Sequence, residues 1–102
     1  MTEKYTVSFS PETEEQLAAL YRHIADSGSP ETALEYAQKI VEDCERLAVF
    51  PERGTPRNDI RPGLRISHYR GRVIIAYAVF ASTVHILGIY YGGQDYETLM
   101  RA

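Results

Sequence analysis

The chain has 102 residues and a formal net charge of −3, and 44% of its residues are hydrophobic and 25% charged. This is the composition of one globular domain with a single core. One cysteine excludes an intrachain disulfide, and no apolar run approaches the roughly 20 residues of a membrane-spanning helix. The length predicts a single domain, 1–102. Because the first residues also lack the apolar segment of a secretory signal, we expect the chain in the cytoplasm.

In chain order, the first elements are a strand and two helices. Alternation of Tyr5, Val7 and Phe9 predicts a strand from Lys4 to Phe9. The tetrapeptide Ser-Pro-Glu-Thr follows at 10–13 and recurs at 29–32. Serine caps a helix, proline suits its first position and glutamate complements the helix dipole, so each copy predicts a helix start. The short connection between the two helices predicts an antiparallel hairpin, with Cys44 buried on its apolar stripe.

The second half predicts a sheet. Three prolines and two glycines in residues 51–63 indicate an irregular connection. Strands are expected over 64–69, 73–80 and 84–91, and Asp95 is placed to cap a short last helix. The predicted fold class is α+β: an N-terminal strand, a helical hairpin packed on a mostly antiparallel four-stranded sheet, and a short C-terminal helix. The first strand can pair in parallel with a later one.

Charge is distributed unevenly along the chain. Residues 1–50 carry ten acidic and four basic side chains, whereas six arginines and a single acid, Asp59, lie between Arg53 and Arg72. These arginines are Arg53, Arg57, Arg61, Arg65, Arg70 and Arg72. The arginine fork suits carboxylates and phosphates, so the cluster predicts a surface for an anionic partner. For any single arginine, an ion pair within the chain is an equally good interpretation.

Partner-binding residues are expected on the sheet, its turn and the segments beside it. Arg65 alternates with two apolar residues, so its side chain should leave the core, and Arg70 and Arg72 flank the next turn. Tyr90 and Tyr91 must face opposite sides, which predicts one core ring and one exposed ring. Tyrosines that only seal a small core are the simpler interpretation. The predicted partner-binding residues are Arg61, Arg65, Arg70, Arg72, Tyr91 and Tyr96.

No metal site, cofactor site or catalytic residue is predicted. The three histidines, His23, His68 and His85, are isolated, and the lone cysteine has no ligand at metal spacing. Ser67 and His68 are neighbours on a strand and point to opposite faces, so they cannot form a nucleophile–base pair. His68 is expected to face the core.

Five strings, in order and spacing, resemble the ParE/RelE superfamily of type II toxins over essentially the whole chain. They are Phe50-Pro51-Glu52-Arg53-Gly54, Arg61-Pro62-Gly63-Leu64-Arg65, Tyr69 to Tyr77, Val84 to Tyr91, and Gly92 to Glu97. The resemblance implies a RelE/ParE-like fold. It also implies a bacterial toxin that is held inactive by a cognate antitoxin encoded beside it.

The branch of the superfamily decides the implied activity. RelE-like members cut messenger RNA on the ribosome with basic residues, and often a tyrosine or histidine near the C-terminus, whereas ParE-like members inhibit DNA gyrase and are not nucleases. Here the tail offers Gln94, Asp95 and Tyr96, and no residue suits the proton transfer that RNA cleavage needs. The sequence pI of about 5.6 also disfavours bulk RNA binding.

We therefore favour the ParE-like, plasmid-stabilisation branch. It implies a gyrase inhibitor that is not an enzyme, causes growth arrest and is bound by a ParD-like antitoxin, with no membrane or sequence-specific nucleic-acid partner. Two toxin and two antitoxin chains are a compatible assembly. A ribosome-dependent mRNA endonuclease of the RelE type and a degenerate, non-toxic antitoxin-binding module are the alternatives.

Overall fold

The computed structural model describes residues 5–101. Its elements are β1 (Thr6–Phe9), α1 (Pro11–Ser27), α2 (Pro30–Glu45), a 3₁₀ turn (Arg46–Ala48), β2 (Thr55–Pro56), β3 (Leu64–Tyr69), β4 (Val73–Phe80), β5 (Thr83–Tyr90) and α3 (Tyr96–Arg101). The predicted start of the first strand at Lys4 lies outside the described residues.

Serine caps begin both helices of the hairpin, as the sequence predicts. The Ser10 hydroxyl accepts the Thr13 N–H at 3.1 Å, and the Ser29 hydroxyl accepts the Thr32 N–H at the same distance. Each serine therefore satisfies a backbone donor that the first turn leaves free. Because few residues separate the two helices, α2 must fold back along α1.

The sheet has five strands in the order β1-β5-β4-β3-β2. β1 pairs in parallel with β5, as the sequence allows, and the other pairs are antiparallel. The predicted number of four strands is one too few. The additional strand, β2, has two residues inside the connection that was expected to be irregular, and its proline lies at the sheet edge, where no ladder donor is needed.

Both faces of the sheet are covered. The helical hairpin packs on one face, where Leu20 and Ile40 contact a core that includes Ile75 and Tyr77. On the other face α3 and the segment around Ile60 cover a smaller core. This explains why β4 reads as an almost continuous apolar run. No helix in residues 5–101 is long and apolar enough to cross a membrane.

The turn between β3 and β4 is tight. Arg70 and Gly71 have positive φ values of 54° and 69°, and the Arg72 N–H donates to the Tyr69 carbonyl at 3.2 Å. Two successive positive φ values suit the twist of a hairpin, and the non-glycine Arg70 is held there at a cost of about 1 kcal/mol. The turn therefore fixes two arginines at one end of the sheet.

The thiol of Cys44 is fully buried, as predicted, and burial together with the charge of Asp43 raises its pKa to about 12. Since the thiolate is the reactive form, we expect native Cys44 to react with a disulfide reagent at pH 8 at least ~100-fold more slowly than in denaturant. A spectrophotometric thiol titration measures both rates. Equal rates would show that the hairpin opens readily.

Candidate functional site

Arg53 is used to hold the hairpin onto the sheet. Its guanidinium donates to the Asp43 carboxylate at 3.2 Å and to the Ser67 hydroxyl at 3.3 Å. Arg46 binds the other oxygen of Asp43 at 3.0 Å. Asp43 is buried, so both arginines serve to satisfy its charge.

Arg57 fastens α3 to the loop before β3. It donates to Asp59 at 2.9 Å, to Glu97 at 3.0 Å and to the Tyr96 hydroxyl at 2.7 Å. The bond from Arg57 lowers the pKa of Asp59 to about 2. Tyr96, predicted as a partner-binding residue, is half-buried and has a role within the chain.

Arg61 and Arg65 donate to backbone carbonyls. Arg61 binds the Met100 carbonyl at 2.8 Å, at the end of α3. Arg65 binds the carbonyls of Glu52 and Gly54 at 3.0 and 2.7 Å. Arg65 is half-buried rather than clear of the protein, because the loop before β2 folds over it. Both residues have structural contacts that their predicted partner role did not include.

Arg70 and Arg72 differ from the other four arginines. Both are exposed, and within residues 5–101 neither guanidinium donates a hydrogen bond or lies within 4.0 Å of a carboxylate. The other four arginines each donate to a group of the chain. The Arg70 guanidinium lies over the Tyr69 ring at 5.7 Å from its centroid. Two unneutralised charges therefore remain at the β3–β4 turn, available to an anionic partner.

A groove of about 630 Å³ opens beside this turn. It lies between the helical hairpin, the β3–β4 turn and the segment after β5, and we call it the basic groove. Its lining includes Leu20, His23, Ile24, Tyr36, His68, Gly71, Arg72, Val73, Tyr91, Gly92, Gly93 and Gln94. Two of the predicted partner-binding residues, Arg72 and Tyr91, thus line one site.

The basic groove is also lined by two histidines that are isolated in the sequence. His23 comes from α1 and its ring lies 5.8 Å from that of Tyr91; His68 comes from β3. The prediction that His68 faces the core is wrong. It shares the face of Leu64 and Ile66, but the cover supplied by α3 does not reach it. His23, three residues after the core residue Leu20, carried a helical-spacing signal for this side of the hairpin.

The two consecutive tyrosines face opposite sides as predicted, with Tyr90 buried in the smaller core. Tyr91 packs against the main core and is half-buried rather than exposed. Gln94 closes the segment after β5, since its side-chain oxygen accepts the Tyr91 N–H at 2.9 Å. Asp95 caps α3 by accepting from Thr98, as predicted. The tail residues are therefore committed to local structure.

No group of three or more histidine, cysteine, aspartate or glutamate side chains in residues 5–101 is arranged to hold a metal ion. Over the same residues, every buried side-chain nitrogen and oxygen has a hydrogen-bond partner. Within these residues, the side-chain groups free to bind a polar ligand therefore lie at the surface.

Comparisons with known proteins agree with this architecture. The family described as "ParE toxin of type II toxin-antitoxin system, parDE" matches residues 7–96. A chain of the chromosomal ParDE toxin–antitoxin system from P. aeruginosa superposes with a TM-score of 0.75 at 25% identity, covering 88% of this chain and 98% of that one.

A chain of the toxin–antitoxin complex RelBE2 from Mycobacterium tuberculosis has the same fold, with a TM-score of 0.67 at 22% identity over 88% of this chain and 100% of that one. No curated protein sequence matches significantly. Because the family match spans most of the residues and the fold agrees, the chain belongs to the ParE toxin family of type II toxin–antitoxin systems.

Proposed function

We propose that this ParE-family toxin inhibits DNA gyrase and is neutralised in the bacterial cytoplasm by direct binding of a ParD-like antitoxin. The family match over residues 7–96 is the observation that carries the proposal. The similar P. aeruginosa chain belongs to a ParDE system, which supports an antitoxin partner of the ParD kind. We further propose that two toxin and two antitoxin chains form the neutralised complex.

The proposed contact surface is the β3–β4 turn and the adjoining rim of the basic groove. Arg70 and Arg72 carry charges that no acid within residues 5–101 neutralises, and half-buried Tyr91 offers a rigid aromatic surface nearby. Charge complementarity favours a partner segment that carries carboxylates beside apolar side chains. Aromatic and arginine side chains are also the residue types that contribute most to protein interfaces.

The proposal is of a binding protein, not a nuclease. Gln94 and Asp95 of the tail bind backbone groups of their own segment, and the Tyr96 hydroxyl binds Arg57. These tail groups are therefore not free to act on RNA. His23 and His68 of the basic groove are exposed, and the messenger RNA measurement described below decides whether they act in proton transfer. Four of the six clustered arginines are likewise occupied within the chain, which leaves little basic surface for a long RNA.

The test is a supercoiling assay with purified gyrase, toxin and the product of the adjacent reading frame. We expect loss of supercoiling, accumulation of covalent gyrase–DNA cleavage complexes, and restoration of activity when the antitoxin is added. Full supercoiling activity of gyrase in the presence of the toxin, with no trapped cleavage complexes, would contradict gyrase inhibition. Cut messenger RNA in arrested cells would instead indicate the RelE-type endonuclease. Light scattering of the purified complex gives the stoichiometry.

A further inference from the structure

The basic groove combines a free cationic side chain with open backbone. Arg72 has no carboxylate within 4.0 Å among the described residues, and His68 lines the same groove. No heavy atom lies within 4 Å of the point where a Cβ would stand on Gly71, Gly92 or Gly93, so the backbone beside Arg72 is accessible from the groove. A guanidinium that has no carboxylate partner and lies beside open backbone is suited to a phosphate group.

The same groove has aromatic walls held in fixed orientations. The Tyr36 ring meets the Tyr69 ring edge-on at 5.8 Å and 90°, and the Tyr91 ring is tilted by 38° against His23. Both Tyr36 and Tyr91 are half-buried, so part of each ring remains free. Such rings accept the flat face of a nucleobase with little preference for its identity.

Size and surrounding charge restrict the ligand to a small one. The groove volume, about 630 Å³, falls within the roughly 300–1,000 Å³ of pockets that hold small molecules. Beyond the groove the exposed face of the hairpin is acidic. Its exposed acids include Glu12, Glu14, Glu15, Asp26, Glu31, Glu35 and Glu42. A long nucleic acid that ran from the groove over the hairpin would be repelled by these charges.

We propose that the basic groove binds a nucleoside monophosphate, with the phosphate on Arg72 and the base against Tyr91 or Tyr36. This inference goes beyond gyrase inhibition and does not depend on it. Direct titration of the purified toxin therefore tests it even if gyrase is not the target.

The test is a titration of ¹⁵N-labelled toxin with adenosine 5′-monophosphate to about 5 mM, followed by NMR. We expect saturable shifts of the amide signals of Gly71, Arg72, Gly92 and Gly93. Ribose 5-phosphate, which lacks the base, should bind at least tenfold more weakly. Equal affinity for the two compounds, or no saturable shift with the nucleotide, would overturn the proposal.

Two matched variants locate the phosphate. Arg72→Ala should lose at least tenfold in nucleotide affinity, whereas Arg70→Ala, which removes the same charge from the same turn outside the groove lining, should lose less than threefold. Equal losses of affinity in the two variants would show that the nucleotide is attracted by the charge of the whole turn. They would overturn the assignment of the phosphate to Arg72. Since both residues are exposed, the variants should fold, and their amide spectra confirm it.

A third variant and a longer ligand locate the base. Tyr91→Ala and Tyr36→Ala together should weaken binding of the nucleotide but leave that of ribose 5-phosphate unchanged. If both affinities are unchanged, the rings do not hold the base and the proposal fails. If a single-stranded hexanucleotide binds more than tenfold more tightly than the mononucleotide, the ligand of the groove is a nucleic acid and the proposal of a mononucleotide is overturned.

Discussion

Replacing Tyr77 with alanine is expected to lower the free energy of unfolding by about 3–5 kcal/mol. The Tyr77 side chain is fully buried at the centre of the main core. Its hydroxyl accepts the Gly54 N–H at 2.8 Å and donates to the Pro51 carbonyl at 2.9 Å. The substitution would therefore leave a cavity beneath the hairpin and also release the loop that leads into β2.

The conservative change Tyr77→Phe separates the hydroxyl from the ring. It keeps the packing but removes the partner of a buried N–H, so we expect a loss of about 1–3 kcal/mol. Position 54 accommodates only glycine. A Cβ there would lie 2.7 Å from the Tyr77 hydroxyl and 2.9 Å from the Ile66 carbonyl oxygen. The close approach of these backbones explains the glycine at position 54.

Urea denaturation followed by circular dichroism measures both changes. Phe80→Ala is the matched control, since Phe80 is 75% exposed and removal of its ring should change the free energy of unfolding by less than about 0.5 kcal/mol. If Tyr77→Phe unfolds at the wild-type urea concentration, the two hydroxyl bonds do not stabilise the loop. The phenylalanine variant keeps the test measurable even if the alanine variant does not fold.

The sequence predicted those elements whose signals are local. Each Ser-Pro-Glu-Thr copy contains its own helix cap. Ser10 and Ser29 therefore predicted the starts of α1 and α2 from neighbouring residues alone. Alternation and turn residues likewise placed β3, β4 and β5. β2 was not predicted, because two residues are too few to show the alternation of apolar and polar side chains that marks a strand. It forms only by pairing with Ile66 and Arg65 of β3.

The roles of the arginines could not be predicted, because their partners are distant in sequence. Arg57 can donate to the Tyr96 hydroxyl, and Arg61 to the Met100 carbonyl, only when α3 has folded back over the sheet. A run of like charges indicates an anionic surface but not which charges the fold neutralises. In the same way, His23 and His68 line one groove only because the fold brings the end of α1 next to the β3–β4 turn.

Charge reversal at the β3–β4 turn, Arg70→Glu together with Arg72→Glu, is expected to weaken the toxin–antitoxin complex by at least about 100-fold, or roughly 3 kcal/mol. The turn carries two exposed charges that no acid within residues 5–101 neutralises, so an acidic antitoxin segment would meet repulsion in place of attraction. Calorimetric titration with the antitoxin measures the loss. Stability should change by less than about 0.5 kcal/mol, since both side chains are exposed.

The control is the pair Arg22→Glu and Arg101→Glu, which changes the net charge by the same amount on exposed residues outside the turn. Arg101 lies 3.7 Å from Asp59, an exposed ion pair that contributes little to stability. It should weaken binding by less than about threefold at physiological salt, because charges beyond a Debye length of about 8 Å are screened. Equal losses in the two double variants would show that only net charge matters. An unchanged affinity for the Arg70 and Arg72 variant would place the antitoxin surface elsewhere. The corresponding alanine pair should lose less than the glutamate pair, since it removes an attraction without adding a repulsion.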